Sequence, residues 1–266
     1  MHPTVSAPRA PHAPWFLALD TSTDVLSIAL GPAPDDACTQ PPTWQYTGAG
    51  ASKSSATLIP EAMRLLSQAG LRLQDLAALV VGSGPGSFTG LRTACSVAQG
   101  LALGAGLPVL PVGTLLAVAE DWRHHHAAHV RQGRVWALLD ARMDEIYAAC
   151  WQWHTADAGQ DAPASVQWQC LQAPVLVAPE DVPALPGLQP QDVLAGNVQA
   201  VYGQRLPRPV AAAMPAATAL LRLAPALYRQ GQAVDAALLL PHYVRDKVAQ
   251  TTAERAAAQA ARQQSA

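Results

Sequence analysis

Apolar residues fill positions 15–19 without a break and stop at Asp20. A run of that length, followed by a polar turn at 21–24, predicts a buried strand. Apolar character resumes over 25–30 as a second strand, and 44–47 predicts a weaker third. The period then changes. Ile59, Met63 and Leu66 recur at helical spacing within 58–70, and Leu58, Ala62 and Leu65 widen the stripe. Gly70 suits a C-cap. An apolar face this broad can serve two neighbours, the helix's own sheet and a second surface. Positions 77–81 predict another buried strand, 82–90 a glycine-rich loop and 91–103 a helix. On that helix Ala94, Ala98 and Ala102 repeat every four residues, a seam of small side chains along which another helix can approach closely.

The second half repeats the alternation. A short strand at 109–111 leads to a helix over 114–123, capped by Thr114. Strands follow at 135–139, 146–153, 165–171 and 192–195, and an alanine- and leucine-rich helix at 216–230 carries Pro225 as a kink or break. Residues 35–42 and 157–163 read as loops, and the Ala/Gln-rich end from 250 as a frayed helix or disordered. One internal match stands out. Phe16-Leu-Ala-Leu-Asp20 with Asp24, and Trp136-Ala-Leu-Leu-Asp140 with Asp144, lie 120 residues apart. Each is an apolar strand, an Asp, a short polar turn, a second Asp and a further apolar strand. This predicts two lobes that each open with a hairpin whose turn carries an acid.

Composition narrows the function classes. Half of the 266 residues are hydrophobic and 14% are charged, a globular balance. A formal net charge of -2 shows none of the basic excess of a main nucleic-acid grip. Cys38, Cys95, Cys150 and Cys170 are scattered with no CxxC pair, which predicts reduced thiols acting as small hydrophobes. The first fourteen residues hold four prolines and one arginine, without the apolar core of a secretory signal. The most apolar stretch, 94–119, is interrupted by Gln99, Pro108 and Pro111. A cytoplasmic chain without a membrane span is expected.

Two segments offer phosphate chemistry. Asp20-Thr21-Ser22-Thr23 ends a strand, where hydroxyls and amides can hold a phosphate and the carboxylate a metal ion or its water. An ordinary capped hairpin turn is the plain alternative. Gly84, Gly86, Ser87, Thr89 and Gly90 sit in a loop between strand and helix, where glycines let amides face an anion. No Lys follows as in a Walker loop, and neither the nucleophile elbow nor the dinucleotide fingerprint fits. A tight turn packing helix on sheet is again the alternative. Asp140, Arg142, Asp144 and Glu145 form the charged turn of the second half, where Arg142 can fork onto a carboxylate. His124, His125, His126 and His129 cluster, and His125 and His129 have the i, i+4 spacing of zinc ligands without the intervening Glu of a metalloprotease. No metal site is expected.

The strings LALDTST at 17–23, GSGPGSFTGLR at 82–92, AQGLALG at 98–104, LLDARMDEIYAA at 138–149 and LLLPHYVRDKVA at 238–249 run in order along nearly the whole chain. In them the chain resembles the TsaB (YeaZ) family. The resemblance implies an α/β fold of two RNase H-like lobes, of the acetate kinase, sugar kinase, Hsp70 and actin type. A tail over 1–14, a first lobe over 15–108 with helix 216–230 packed on it, a second lobe over 109–215 and a C-terminal segment over 231–266 follow. It also implies a non-catalytic role. The family partners TsaD, which transfers threonylcarbamoyl from its adenylate to the tRNA adenosine beside the anticodon. TsaC makes that adenylate, the ATPase TsaE joins the complex, and tRNA is held mainly by TsaD. A helix-bundle interface to TsaD would use Ile59, Met63, Leu66, Ala94, Ala98, Leu101 and Ala102, and the same faces could form a homodimer without TsaD. The resemblance implies no cofactor of the chain's own, with ATP or ADP at the complex interface as the one opening. Departures from the catalytic relatives point the same way: no His lies between Asp20 and Leu101, where they carry an HxxxH metal motif, and Ala141 and Arg142 follow Asp140 in place of a glycine. A kinase-like phosphotransferase and a metalloprotease-like protein are the alternatives.

Overall fold

Phe16, Ala18 and Asp20 alternate with Leu17 and Leu19 along the first strand, and every one of them is buried. A strand with two buried faces must lie between two layers of structure. The computed structural model, which describes residues 13–33, 42–50, 54–156 and 165–244, shows both layers. Leu17 and Leu19 join a core with helix α1 (Ser54–Ala69) and helix α2 (Phe88–Ala105), while Phe16 and Ala18 face helix α5 (Ala217–Arg229).

The first sheet runs β3-β2-β1-β4-β5, with β1 Trp15–Asp20, β2 Val25–Pro32, β3 Trp44–Ala49, β4 Ala78–Gly84 and β5 Val109–Gly113. The second runs β8-β7-β6-β9-β10, with β6 Gln132–Arg142, β7 Glu145–Ala156, β8 Ser165–Val177, β9 Val193–Gly196 and β10 Ala211–Ala212. In each sheet two antiparallel pairs lie on one side of the first strand and two parallel pairs on the other. The hairpins expected around Asp20 and Asp140 both form, and each opens its sheet. Helix α3 (Thr114–His126) connects them: Leu116 and Ala117 pack with α5 under the first sheet, and Leu115, Val118 and Ala119 pack on the second. The outer face of the second sheet is closed by a 3-10 turn at Pro179–Ala184 and the short helix α4 (Gln199–Tyr202).

Several expectations change. Val109–Gly113 pairs with β4, so a boundary at 108/109 would cut the first sheet. The glycine-rich loop is shorter than 82–90, because β4 runs to Gly84 and α2 starts at Phe88. Helix α5 continues through Pro225. Thr114 does not cap its own helix; its hydroxyl accepts from Gly84 N at 3.1 Å. Helix α3 ends at His126, so His129 is not on the helix and the i, i+4 pair is not formed. Cys95 and Cys150 are buried, whereas Cys170 is exposed. Expectations for residues 1–12, 35–41, 157–163, Cys38 and everything from 245 onward lie outside the described residues.

The alanine seam is the largest correction. Ala94, Ala98 and Ala102 are fully buried in the chain's own core on the α1 and α2 face of the first sheet, and Leu66 joins them. None of the four is open to a partner. A larger side chain there should therefore act on folding. Ala98→Leu is expected to cost about 1–3 kcal/mol of stability, because the packed core beside it has no room. Urea unfolding checks it, and unchanged stability would contradict the placement.

Candidate functional site

Both acid turns and both loops that follow the parallel strands meet at one end of the two sheets. The first half is tied internally. Asp20 is 1% exposed. Its Oδ1 accepts from Ser22 N at 3.0 Å and Ser22 Oγ at 2.7 Å. The Thr21 hydroxyl donates to Gly90 O at 2.6 Å, and Ser87 N donates to Ser22 O at 2.7 Å. Ser87 in turn caps α2, its Oγ accepting from Gly90 N. Of the groups offered by the sequence to a phosphate, the Thr21 and Ser22 hydroxyls and the Ser87 and Gly90 amides are thus engaged within the chain, while Thr89 is exposed.

The glycines have a physical reason in this interlock. A methyl group at Gly82 would collide with Asp20 Oδ2, and one at Gly90 with the Thr21 carbonyl. At Gly86 it would stand 2.5 Å from Ser22 O. Gly84, at φ 120°, also faces the His242 carbonyl, and His242 N donates to Ser83 O at 2.7 Å. Residues 239–243 therefore run back over this loop. Gln99 Nε2 holds Leu239 O at 3.0 Å, and Arg92 Nε holds Tyr243 Oη at 2.9 Å beside Phe88.

Asp20 Oδ2 has no hydrogen-bond partner among the described residues. Burial pushes this carboxyl up to about 7, against the lowering effect of its bonds to Ser22. In the unfolded chain it titrates near 3.8. Between those values the folded chain keeps a proton that the unfolded chain has released. Stability from this site is then full below about pH 4 and falls as pH rises toward 7. Asp20→Asn, neutral at every pH, is expected to remove that decline and to exceed the parent at pH 8 by at most on the order of 4 kcal/mol. Urea unfolding at pH 5 and pH 8 reads the difference, and parallel pH curves for the two chains would contradict it.

The second half is tied as well. Asp140 Oδ1 accepts from Arg142 N at 2.8 Å and from Tyr202 Oη at 2.9 Å, and Asp140 N donates to Asn197 Oδ1 at 2.9 Å. Arg142, Met143 and Asp144 all have φ near +60°, so the turn is a left-handed arc of three side-chain-bearing residues. Asp144 is held by Arg205 at 3.1 Å. Glu145 opens β7 opposite Arg142. The Arg142 guanidinium reaches Asp140 at 3.1 Å and also Asp24 of the first turn, so one arginine links the two halves. Sequence reasoning missed Tyr202, because 62 residues separate it from Asp140 and nothing local marks the pair.

Between the turns lies a cleft of about 120 Å³, lined by Ser22, Asp24, Gly86, Ser87, Asp140 and Asn197 among others. Cavities that hold small-molecule ligands usually measure about 300–1,000 Å³. Among the described residues no group of three His, Cys, Asp or Glu side chains could hold a metal ion.

The remaining predicted residues lie on another face. Ile59 and Met63 of α1 are 42% and 43% exposed, and Leu103 of α2 is 63% exposed. Leu101 is half-buried against the core. Ser96, Gly100 and Gly104 are exposed at the same spacing of four as the alanines, and nothing stands within 4 Å of a Cβ built on either glycine. A small-residue seam exists, but it is this outward one.

The family model described as "TsaD: tRNA N6-adenosine threonylcarbamoyltransferase" matches residues 49–253. The Haemophilus influenzae protein named "tRNA threonylcarbamoyladenosine biosynthesis protein TsaB" is 32% identical over 237 residues, covering 88% of this chain and 94% of that one. The chain belongs to the TsaB family. The Escherichia coli TsaB is 37% identical over 152 residues, 52% of this chain and 58% of its own length. A Pseudomonas aeruginosa crystal structure, described as an uncharacterized protein with similarity to peptidase YEAZ, superposes with a TM-score of 0.70. It is 32% identical and covers 87% of this chain and 100% of its own. The TsaB fold is thus a mixed α/β fold with two five-stranded sheets. Among the described residues no helix is long and apolar enough to cross a membrane.

Proposed function

We propose that this TsaB-family chain is the accessory subunit of the machinery that forms threonylcarbamoyladenosine on tRNA. Its role is to bind and activate a TsaD-type transferase, with the ATPase TsaE joining the complex. The observation that carries this reading is the outer face of α1 and α2. Ile59 and Met63 of α1 and Leu103 of α2 are exposed apolar side chains, and Ser96, Gly100 and Gly104 form an exposed seam of small residues on α2. Such a face suits close helix-to-helix docking. The fold is read as two units of the acetate kinase, sugar kinase, Hsp70 and actin type, in keeping with the two sheets of matching order. The same face offers a homodimer contact when TsaD is absent.

A kinase-like reading is less well supported. It needs donors free to meet a phosphate, and the Thr21 and Ser22 hydroxyls and the Gly84, Ser87 and Gly90 amides are all engaged within the chain. A metalloprotease-like reading lacks its ligands, because residues 21–100 contain no histidine. ATP or ADP belongs, on this reading, to a surface completed by the partner, and tRNA is met mainly through TsaD.

Mixing the purified chain with its cognate TsaD and separating the mixture by size tests the proposal. A one-to-one complex that displaces any homodimer is expected. Two species that elute unchanged would count against it.

A further inference from the structure

A crevice of about 390 Å³ opens between α3, α5 and the start of β8. It is distinct from the acid turns. Phe16 lines it, four residues before Asp20 on the same strand, which is about 13 Å away along an extended chain. The volume lies within the usual range for small-ligand sites. Its walls are mainly apolar, with Phe16, Val166, Trp168, Leu223 and Tyr228, and Arg123, Arg222 and Arg229 bring charge to it.

The charges are unevenly matched. Glu120, 2% exposed, accepts from Arg123 Nε at 2.7 Å, Arg123 Nη2 at 2.9 Å and Arg222 Nε at 2.8 Å. Two guanidiniums therefore share one buried carboxylate. Asp121 lies 3.8 Å from Arg222 Nη2, an ion pair beyond hydrogen-bond reach. Arg229 Nε donates to the Pro225 carbonyl. Arg222 Nη2 and Trp168 Nε1 are buried without an acceptor among the described residues. Across Trp168 a second crevice of about 360 Å³ shares Val166, Leu223 and Ala226, and adds Trp151, whose Nε1 is likewise buried and unpaired. The surroundings thus combine apolar walls, a cationic excess and a surplus of donors over acceptors. Buried donors that lack acceptors are uncommon in folded chains and are costly.

We propose that this crevice binds a small amphipathic anion, an apolar ring or chain bearing one carboxylate. The carboxylate is set against the Arg222 and Arg229 guanidiniums, and the body lies beside Trp168 and Leu223. Planar guanidinium pairs favour a carboxylate over a neutral hydroxyl by charge-assisted hydrogen bonds.

The test is calorimetric titration of the full chain with 2-naphthoate and, in parallel, with the neutral 2-naphthalenemethanol. Saturable one-to-one binding of the acid is expected, at least about tenfold tighter than the alcohol. Arg222→Gln should weaken the acid about tenfold. Because Arg222 also pairs with Glu120, a second variant separates binding from folding. Ala226→Phe fills the wall shared by the two crevices from a half-buried position, and should abolish binding with the thermal transition retained. No saturable binding, equal affinity for acid and alcohol, or unchanged affinity in Ala226→Phe would each overturn the proposal.

Discussion

A Gly100→Trp chain is expected to fold as the parent does and to lose its partner. Gly100 lies in the middle of α2, exposed, with nothing within 4 Å of a Cβ built on it. In the isolated chain the substitution starts from open space, and replacing a mid-helix glycine changes stability by less than about 1 kcal/mol, toward the more stable side. In the proposed complex the same indole stands in the seam between packed helices, which needs small side chains to let the backbones approach. Bulk at the centre of such an interface should cost about a hundredfold in affinity for TsaD. Calorimetric binding together with a thermal melt separates the two effects. Normal affinity would remove α2 from the interface, and an unfolded variant would show that the face is part of the chain's own core.

Gly90→Ala should have the opposite character and destabilise the chain itself. Gly90 is in the first turn of α2, so helix preference alone would favour alanine. The Thr21 carbonyl stands where that methyl would go, and the Thr21 hydroxyl bonds to the Gly90 carbonyl at 2.6 Å. The turn and the helix start must separate to admit the methyl, which breaks that bond and disturbs the Ser22–Ser87 contact beside it. A loss of about 3 kcal/mol is expected. Equilibrium unfolding in urea measures it. A neutral or stabilising result would mean that the two motifs are less closely interlocked than described.

These glycines also show what the sequence could and could not disclose. The run at 15–19 and its counterpart at 135–139 were legible as strands, because a continuous apolar stretch closed by a polar turn has few other solutions. The paired hairpins followed from the repeat. The helix over 58–70 was legible as broadly apolar, and Ile59 and Met63 do emerge on its outer side. What a spacing of four cannot reveal is which side of a helix faces the sheet. Ala94, Ala98 and Ala102 share their period with Ser96, Gly100 and Gly104, and only packing on β4 decides that the alanines are inside. Likewise Asp20 and the GPGSFTG string were visible as motifs. Their engagement with each other, and the return of His242 over Ser83, depend on contacts between distant residues. Arg142 was legible as an arginine in search of a carboxylate, and the fold supplies Asp24 from the other half.

On the proposed function, this chain activates a transferase without carrying the chemistry. A reconstituted threonylcarbamoyl transfer assay on tRNA decides the matter, comparing the chain alone, TsaD with TsaC and TsaE, and all four together. No modification by the chain alone, little by the three-protein mixture, and full modification once the chain is added are expected. Modification by the chain alone, or an equally active mixture without it, would overturn the accessory role.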